Sequence, residues 1–258
     1  MMIDLAEAGL LVDIDADVMT VTLNRPETRN SQTPQMWAAF TQICESVQLE
    51  VRFVVLRGVG EVFSSGLDRS LFDGSPAGES LVKIAQQPEA EVRAFIQKAQ
   101  AGFACWRGIA PTTIAVVQGP AIGAGWQLAM SCDLVLAAPT ATFSLREARL
   151  GLVPDLGATG RLLRAVGYQR AFEVCASGRD VSAAEAERWG LVNEVCSNLD
   201  QSLAALLDGL RNIPEKAVSE VKRLLVAVEE GASSWTAEQD SQIRRLSDLL
   251  SSHDRNTH

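Results

Sequence analysis

Apolar positions along the chain follow two rhythms that change near Gly157. Before it, short β-branched and apolar runs alternate with segments of helical period, which predicts strands alternating with helices. Leu10–Ile14 and Val18–Asn24 predict a hairpin around Asp15-Ala16-Asp17. Arg25-Pro26 ends its second strand, because proline supplies no N–H to a ladder. Ser31 or Thr33 can cap a helix with Pro34 in its first turn and an end near Leu49. Arg52–Arg57 is a third strand, closed by Gly58 and Gly60, and Phe63–Asp68 is extended before it turns. Residues 73–90 are polar and carry Gly and Pro, predicting a mobile loop with one short helix. Glu91–Arg107 has apolar side chains at 92, 95, 96, 99, 103 and 106, the spacing of a helix.

The stretch Thr112–Asp133 joins a strand-like run, Thr113–Val117, to an apolar helix, Trp126–Ser131, through Gly119-Pro120 and Gly123-Ala124-Gly125. A buried strand leading through small residues into a helix N-terminus exposes backbone N–H groups that a ligand can approach closely. Leu134–Ala138 and Thr142–Ser144 are further extended pieces. Beyond Gly157 the segments Thr159–Val166, Tyr168–Ser177, Ala183–Trp189, Leu199–Arg211, Glu215–Glu229 and Ser234–Leu250 read as helices. They are broken by Gly167, Gly178, Gly190, Pro214 and Gly231, and Leu191–Val195 reads as a lone strand. Residues 251–258 are expected to be a disordered tail.

Composition narrows the classes of function. A length of 258 residues suits one large domain, or one domain with an appendage. No apolar run reaches the length of a membrane span, and the N-terminus lacks the basic and apolar regions of a signal peptide. Five scattered cysteines and two histidines, His253 and His258, give no zinc spacing. They fit free thiols in a reducing cytoplasm. A net charge of −9 argues against nucleic-acid binding but leaves room for an anionic small ligand met by local arginines or lysines.

Candidate chemistry lies in two places. Phe63–Asp68 and Gly123-Ala124-Gly125 could aim two backbone N–H groups at one oxygen, the requirement of an oxyanion hole, although such turns also serve packing alone. Glu147 and Asp155 stand among Leu145, Leu150, Leu152 and Val153, where burial would raise a carboxyl pKa and suit it to acid/base work. Glu147 can equally be an ion-pair partner of Arg146 or Arg149, and Asp155 a cap on the following helix. The body of the chain has no histidine for a Ser-His-Asp or Cys-His system.

Several fragments in order resemble the crotonase family, the enoyl-CoA hydratase/isomerase superfamily. They are Leu23-Asn-Arg-Pro-Glu-Thr-Arg-Asn30, Val54-Val-Leu-Arg-Gly58 with Phe63-Ser-Ser-Gly-Leu-Asp68, and Gln118-Gly-Pro-Ala-Ile-Gly-Ala-Gly125 with Leu128-Ala129 and Cys132-Asp133. Phe143 to Leu162, Ala183-Ala-Glu-Ala186 and Trp189-Gly-Leu-Val192 complete the set, which spans about residues 9 to 230. The resemblance implies an α/β fold, a spiral of ββα units over residues 1–195, and a C-terminal helical oligomerisation region over residues 196–258. It implies a homotrimer, or a dimer of trimers, that binds no nucleic acid and no membrane.

The implied ligand is an acyl-CoA thioester, with coenzyme A part of the substrate and no separate cofactor or metal. Its carbonyl would lie between the N–H groups of Leu67 and Ala124, which stabilise an enolate. The two carboxylates of family hydratases fall on Gln127 and Glu147, and only Glu147 is an acid. Glutamine exchanges no proton near neutral pH. A single base can still move a double bond, as in relatives resembling Δ3,Δ2-enoyl-CoA isomerases, so an isomerase with Glu147 as acid/base is the expected activity. The alternatives are a specialised hydratase in which Gln127 positions water, and a silent acyl-CoA binder. Asp155 matches the aspartate that ring-isomerising relatives use. CoA contacts would fall on Arg25, Arg29, Ser65, Leu67, Asp68 and Lys222, and the acyl pocket on Phe72, Phe95, Phe103 and Trp126.

Overall fold

The computed structural model describes residues 2–72 and 80–255, with side chains described as far as residue 248. A six-stranded sheet forms its spine. Its strands are β1 (Leu10–Asp15), β2 (Val18–Leu23), β3 (Phe53–Gly58), β4 (Thr112–Val117), β6 (Leu134–Ala137) and β9 (Glu194–Val195), neighbours in that order. The β1–β2 hairpin is antiparallel and every later pairing is parallel. Parallel strands need helical crossovers that cover both faces, and the interior strands read accordingly as unbroken apolar runs. β4, TTIAVV, is buried at all six positions.

Alternate residues of those strands feed two cores. Val54, Leu56, Ala115 and Val117 face the larger one, shared with α1 (Pro34–Glu45), α3 (Glu89–Gly108) and α4 (Ala124–Met130). Phe53, Val55, Ile114, Val116 and Leu136 face the smaller one, closed by Leu207 of α7 (Leu199–Arg211). The period of two along each strand makes this division. Among the described residues no helix is long and apolar enough to cross a membrane.

A second sheet of three short strands, β5 (Ala121–Ile122), β7 (Thr142–Ser144) and β8 (Val181–Ser182), lies beside the spine. β5 and β7 run parallel, with Ile122 opposite Ser144. The apolar pattern predicts neither β5 nor β8, because two residues carry no periodicity; each exists through its partner β7. The expected strand Leu191–Val195 contracts to its last two residues, which pair with Leu136 and Ala137 of β6.

Helix boundaries follow local chemistry. Thr33 caps α1 by accepting from Met36 N, and α1 ends at Glu45, before the expected Leu49, which is almost wholly exposed. Of residues 73–90, the first seven lie outside the described residues; Ser80 then caps the short α2 (Leu81–Ala85). The predicted break at Gly167 is present inside α5 (Ala158–Ser177), where the glycine takes φ 74° and ψ 170°. α6 (Ala183–Arg188), α8 (Glu215–Glu229) and α9 (Ser234–Arg255) complete the chain. The expected disorder after Leu250 is corrected for residues 251–255, which continue α9; residues 256–258 lie outside the described set.

Candidate active site

Three turns converge on one spot. Ser64 forms an isolated parallel bridge to Ala121, and Ile122 N donates to Ser64 O at 2.9 Å. That contact brings Phe63–Asp68 against the Gly123-Ala124-Gly125 turn. Gly66 takes φ +84°, and a Cβ on it would lie 2.4 Å from Ile122 O and 3.3 Å from Ala124 N. A Cβ on Gly125 would lie 2.5 Å from Ser64 O. The glycines at 66 and 125 are therefore what permits two backbones to approach this closely.

The approach leaves two donors unspent. Gln32 N donates to Gly66 O at 2.7 Å, and Asp68 N donates to Gln32 O at 2.9 Å. Along an extended segment successive N–H groups alternate sides, so Leu67 N–H faces away from Gln32. Ala124 is the first residue of α4, whose cap residue, Gly123, provides no side chain to its N–H groups. Among the described residues neither Leu67 N–H nor Ala124 N–H has an acceptor. Both residues are wholly or partly buried, which makes unmatched donors there costly unless a ligand oxygen supplies the match. α4 has only seven residues, so its aligned dipoles add little beside the two N–H groups themselves.

Glu147 stands directly beyond this turn. Gly123 N donates to Ser144 O at 2.7 Å, the end of the β5–β7 pairing, and the chain reaches Glu147 three residues later. Gly123 itself has φ 54° and ψ −119°, and a Cβ on it would lie 3.2 Å from Glu147 Oε1. The ion-pair alternative for Glu147 falls away: Arg146 pairs with Asp180 at 2.7 Å, and Arg149 Nε donates to Ser177 O at 2.9 Å. Burial pushes the Glu147 carboxyl pKa up, its own backbone N–H and the Gln127 amide pull it back, and the charge of Asp155 adds to the rise.

Gln127 is 1% exposed and hydrogen-bonded at both ends of its amide. Its Nε2 donates to Glu147 Oε1 at 2.8 Å, and its Oε1 accepts from Leu156 N at 2.9 Å. The Gln127 side chain is oriented by the protein itself, with its carbonyl accepting from Leu156 N and one N–H donating to Glu147. Glu147 Oε2 is shielded from water and has no hydrogen-bond partner among the described residues. Nothing in the sequence pattern marks Leu156, because its contribution is a backbone N–H placed by the loop.

Asp155 is exposed at the rim, and its backbone carbonyl accepts from Gln100 Nε2 at 2.8 Å. The cap alternative fails, since Gly157 at φ 93° is the N-cap of α5 and no side chain bonds there. Partial burial raises the Asp155 carboxyl, but water still reaches it, and that access limits the shift.

The residues expected along the CoA path separate into free and committed groups. Asp68 is 7% exposed and accepts from Arg25 Nη1, Ser31 Oγ and Ser70 Oγ, each at 2.7 Å. Burial opposes its ionisation, yet the Ser31, Ser70 and Arg25 bonds hold its carboxyl well below the usual range. Its side chain is a buttress for the loop, and Arg25 is partly tied to it. Ser65 N donates to Arg29 O and Ser65 Oγ to Thr28 O, which docks the first basic turn against the 63–68 loop. Arg29 is exposed at φ 58°.

Lys222 is a correction. Its Nζ lies 2.8 Å from Asp133 Oδ2 and donates to Pro111 O at 2.8 Å and Trp106 O at 3.0 Å, so within this chain it has nothing left for a phosphate. Two proposed pocket aromatics are likewise core: Phe103 packs edge-on to Trp37 and Phe40, and Trp126 against Phe143. Phe72 and Phe95 remain only partly buried.

Known proteins resemble the chain in sequence and fold. Residues 13–256 match the family model for enoyl-CoA hydratase/isomerase. "Probable enoyl-CoA hydratase echA8" of Mycobacterium leprae is 35% identical over 192 residues, covering 72% of this chain and 68% of the relative. The mitochondrial Delta(3,5)-Delta(2,4)-dienoyl-CoA isomerase of Dictyostelium discoideum is 32% identical over 189 residues, 72% of this chain and 64% of the relative. A "putative enoyl-CoA hydratase" from Thermobifida fusca YX superposes with a TM-score of 0.87 in its complex with CoA, at 36% identity and 96% coverage of both chains. Its complex with acetoacetyl-CoA gives a TM-score of 0.85 at 38% identity, covering 95% of this chain and 97% of that one. With the fold, the paired loops and the match over nearly the whole length in agreement, the chain belongs to the enoyl-CoA hydratase/isomerase, or crotonase, family of acyl-CoA enzymes.

Proposed function

We propose that this family member shifts a double bond within an enoyl-CoA thioester, with Glu147 as the acid/base and the Leu67 and Ala124 N–H groups as the oxyanion hole. One observation carries the reading: among the described residues Glu147 Oε2 is a buried carboxylate oxygen without a hydrogen-bond partner, beside a glutamine that has no proton to give. Oε2 takes the proton from the α-carbon of a 3-enoyl thioester as that C–H bond breaks. The electron pair passes to the thioester oxygen between the two N–H groups. Oε2 then delivers a proton to the γ-carbon, either the one it took or one exchanged with solvent during the life of the enolate, and the double bond ends between the α- and β-carbons. Losing one oxyanion donor typically costs about 3–4 kcal/mol of transition-state stabilisation.

Hydration is the second reading. In its favour, the charge of Asp155 acts on Glu147, so a second carboxyl group lies within electrostatic reach. Coenzyme A enters as part of the substrate, and no separate cofactor or metal is required. Arg29, Arg25, Ser65 and the Leu67 backbone are its proposed contacts. Self-association as a homotrimer, or a dimer of trimers, is supported by apolar side chains left exposed on α8 (Val221, Leu225, Val228) and α9 (Trp235, Ile243, Leu246). Five free thiols support a reducing, cytoplasmic setting.

The test is incubation with a 3-enoyl-CoA and, separately, a 2-enoyl-CoA in deuterated water. Deuterium at the α- or γ-carbon without a hydroxyl product is expected. Water addition as the main reaction would replace the isomerase by a hydratase, and tight binding without exchange would leave a silent binder.

A further inference from the structure

Gln127 occupies a position where it takes no proton, yet both ends of its amide are fixed. The orientation of that amide follows from its neighbours. Leu156 contributes a backbone N–H, so the group facing it must be the carbonyl oxygen, which accepts at 2.9 Å. The amide nitrogen is then left to face Glu147 Oε1 at 2.8 Å. Turned over, the amide would set donor against donor and acceptor against acceptor in a pocket where Gln127 is 1% exposed. The same Glu147 Oε1 lies close to Gly123, where an added Cβ would stand 3.2 Å from it.

We propose that Gln127 is a positioning residue: oriented by the Leu156 N–H, it holds Glu147 Oε1 so that Oε2 alone takes and returns the proton. This rests on the reading of Glu147 as the acid/base. The bond suits both halves of the cycle. When Glu147 is ionised, Oε1 accepts as a carboxylate oxygen; when Oε2 carries the proton, Oε1 accepts as the carbonyl oxygen of the acid. The carboxyl group therefore keeps one orientation through removal at the α-carbon and delivery at the γ-carbon, the condition for one base to serve two carbons. A neighbouring ionised carboxylate would offer Oε1 no donor, so a glutamine fits this chemistry better than the acid it replaces.

The experiment is the pH profile of deuterium exchange into a 3-enoyl-CoA for the full-length protein and three variants. Glu147→Gln is expected to lose exchange by at least a hundredfold. Gln127→Met, which fills the space without a donor, is expected to lower kcat at least tenfold with KM within twofold, and to move the rising acid limb to higher pH. That shift follows because the lost amide bond favours the ionised carboxylate, and a purely structural role would leave the limb in place. Gln127→Asn, too short to bridge Leu156 and Glu147, is the second probe should the Met variant fail to fold, and the same shift is expected. Loss of exchange in Glu147→Gln with an unmoved limb in the Gln127 variants would overturn the positioning role alone. Retained exchange in Glu147→Gln would overturn the assignment of Glu147, and the positioning role with it.

Discussion

Lys222 on α8 reaches the body of the domain, where its ammonium lies 2.8 Å from the Asp133 carboxylate in the turn between α4 and β6. Two backbone carbonyls, of Trp106 and Pro111, take its other hydrogens, and its side chain is 9% exposed. It is one anchor of the C-terminal helices. Glu229 on the same helix supplies another by pairing with Arg107 and Arg164. Breaking a buried pair leaves a charge without compensation. Lys222→Met is therefore expected to cost about 3 kcal/mol of unfolding free energy. CoA affinity should stay within twofold. Urea unfolding and calorimetric CoA titration check both; a tenfold loss of CoA affinity at unchanged stability would restore Lys222 to the ligand.

Gly66 should be far less replaceable than Gly151, although both have positive φ. A Cβ at 151 meets nothing within 4 Å, so Gly151→Ala carries only the left-handed backbone penalty, about 1–2 kcal/mol. A Cβ at 66 would sit 2.4 Å from Ile122 O, between the two loops that present Leu67 and Ala124. Gly66→Ala is expected to add an overlap cost of about 1–3 kcal/mol. It should also abolish enolate exchange by spreading the two donors. Equal stability and equal activity in the two variants would show that the loops are not tightly joined.

How much of this was readable in advance depends on the range of the interactions. The strands of the spine and all the long helices were legible, because the strands are β-branched, apolar runs closed by turn residues and the helices carry a period of 3.6. The loop pair was legible as two glycine-bearing turns after strands. Its meeting was expected from the resemblance, but the contact that makes it was not legible, since it runs through β5 and the Ser64–Ala121 bridge, elements of one or two residues. Gln127 was visible as a departure from the family pattern, but its clamp depends on Leu156 N–H, a backbone group with no signature of its own. Lys222 misled because a lysine on an amphipathic helix looks the same in sequence whether it faces a ligand or a carboxylate behind it.

Glu147 should make the fold less stable as pH rises. Burial raises its carboxyl pKa above the unfolded value, so the folded state binds the proton more tightly than the unfolded chain. The resulting stabilisation is full below the unfolded pKa of about 4.3 and is lost as pH rises through the folded value. Glu147→Gln removes the ionisation and keeps an acceptor for Gln127 Nε2. Its melting temperature is expected to exceed that of the parent protein by about 2–4 °C at pH 8, roughly 1 kcal/mol in a chain of this size. The gap should close toward pH 4. Thermal melts across that range decide it, and a gap that is constant with pH would mean Glu147 is not buried as described.

Gln127→Glu should turn the site toward adding water. The new carboxyl group would sit where the amide now sits, with the Leu156 N–H still able to donate to one of its oxygens. Its other oxygen would face Glu147 Oε1 at the present 2.8 Å, too close for both groups to ionise, so the pair would share one proton near neutral pH. Hydration needs that combination: an ionised carboxylate takes a proton from water as its oxygen bonds to the β-carbon, and a protonated one delivers hydrogen to the α-carbon. A well-placed acid or base contributes about 10²–10⁴-fold. The variant is accordingly expected to hydrate 2-enoyl-CoA about a hundredfold faster than the parent, while its double-bond shift slows because Glu147 is partly protonated by its neighbour. Parallel rates on 2-enoyl- and 3-enoyl-CoA measure both effects. If the variant binds substrate and adds no water, the residue at 127 is not what separates the two reactions in this chain.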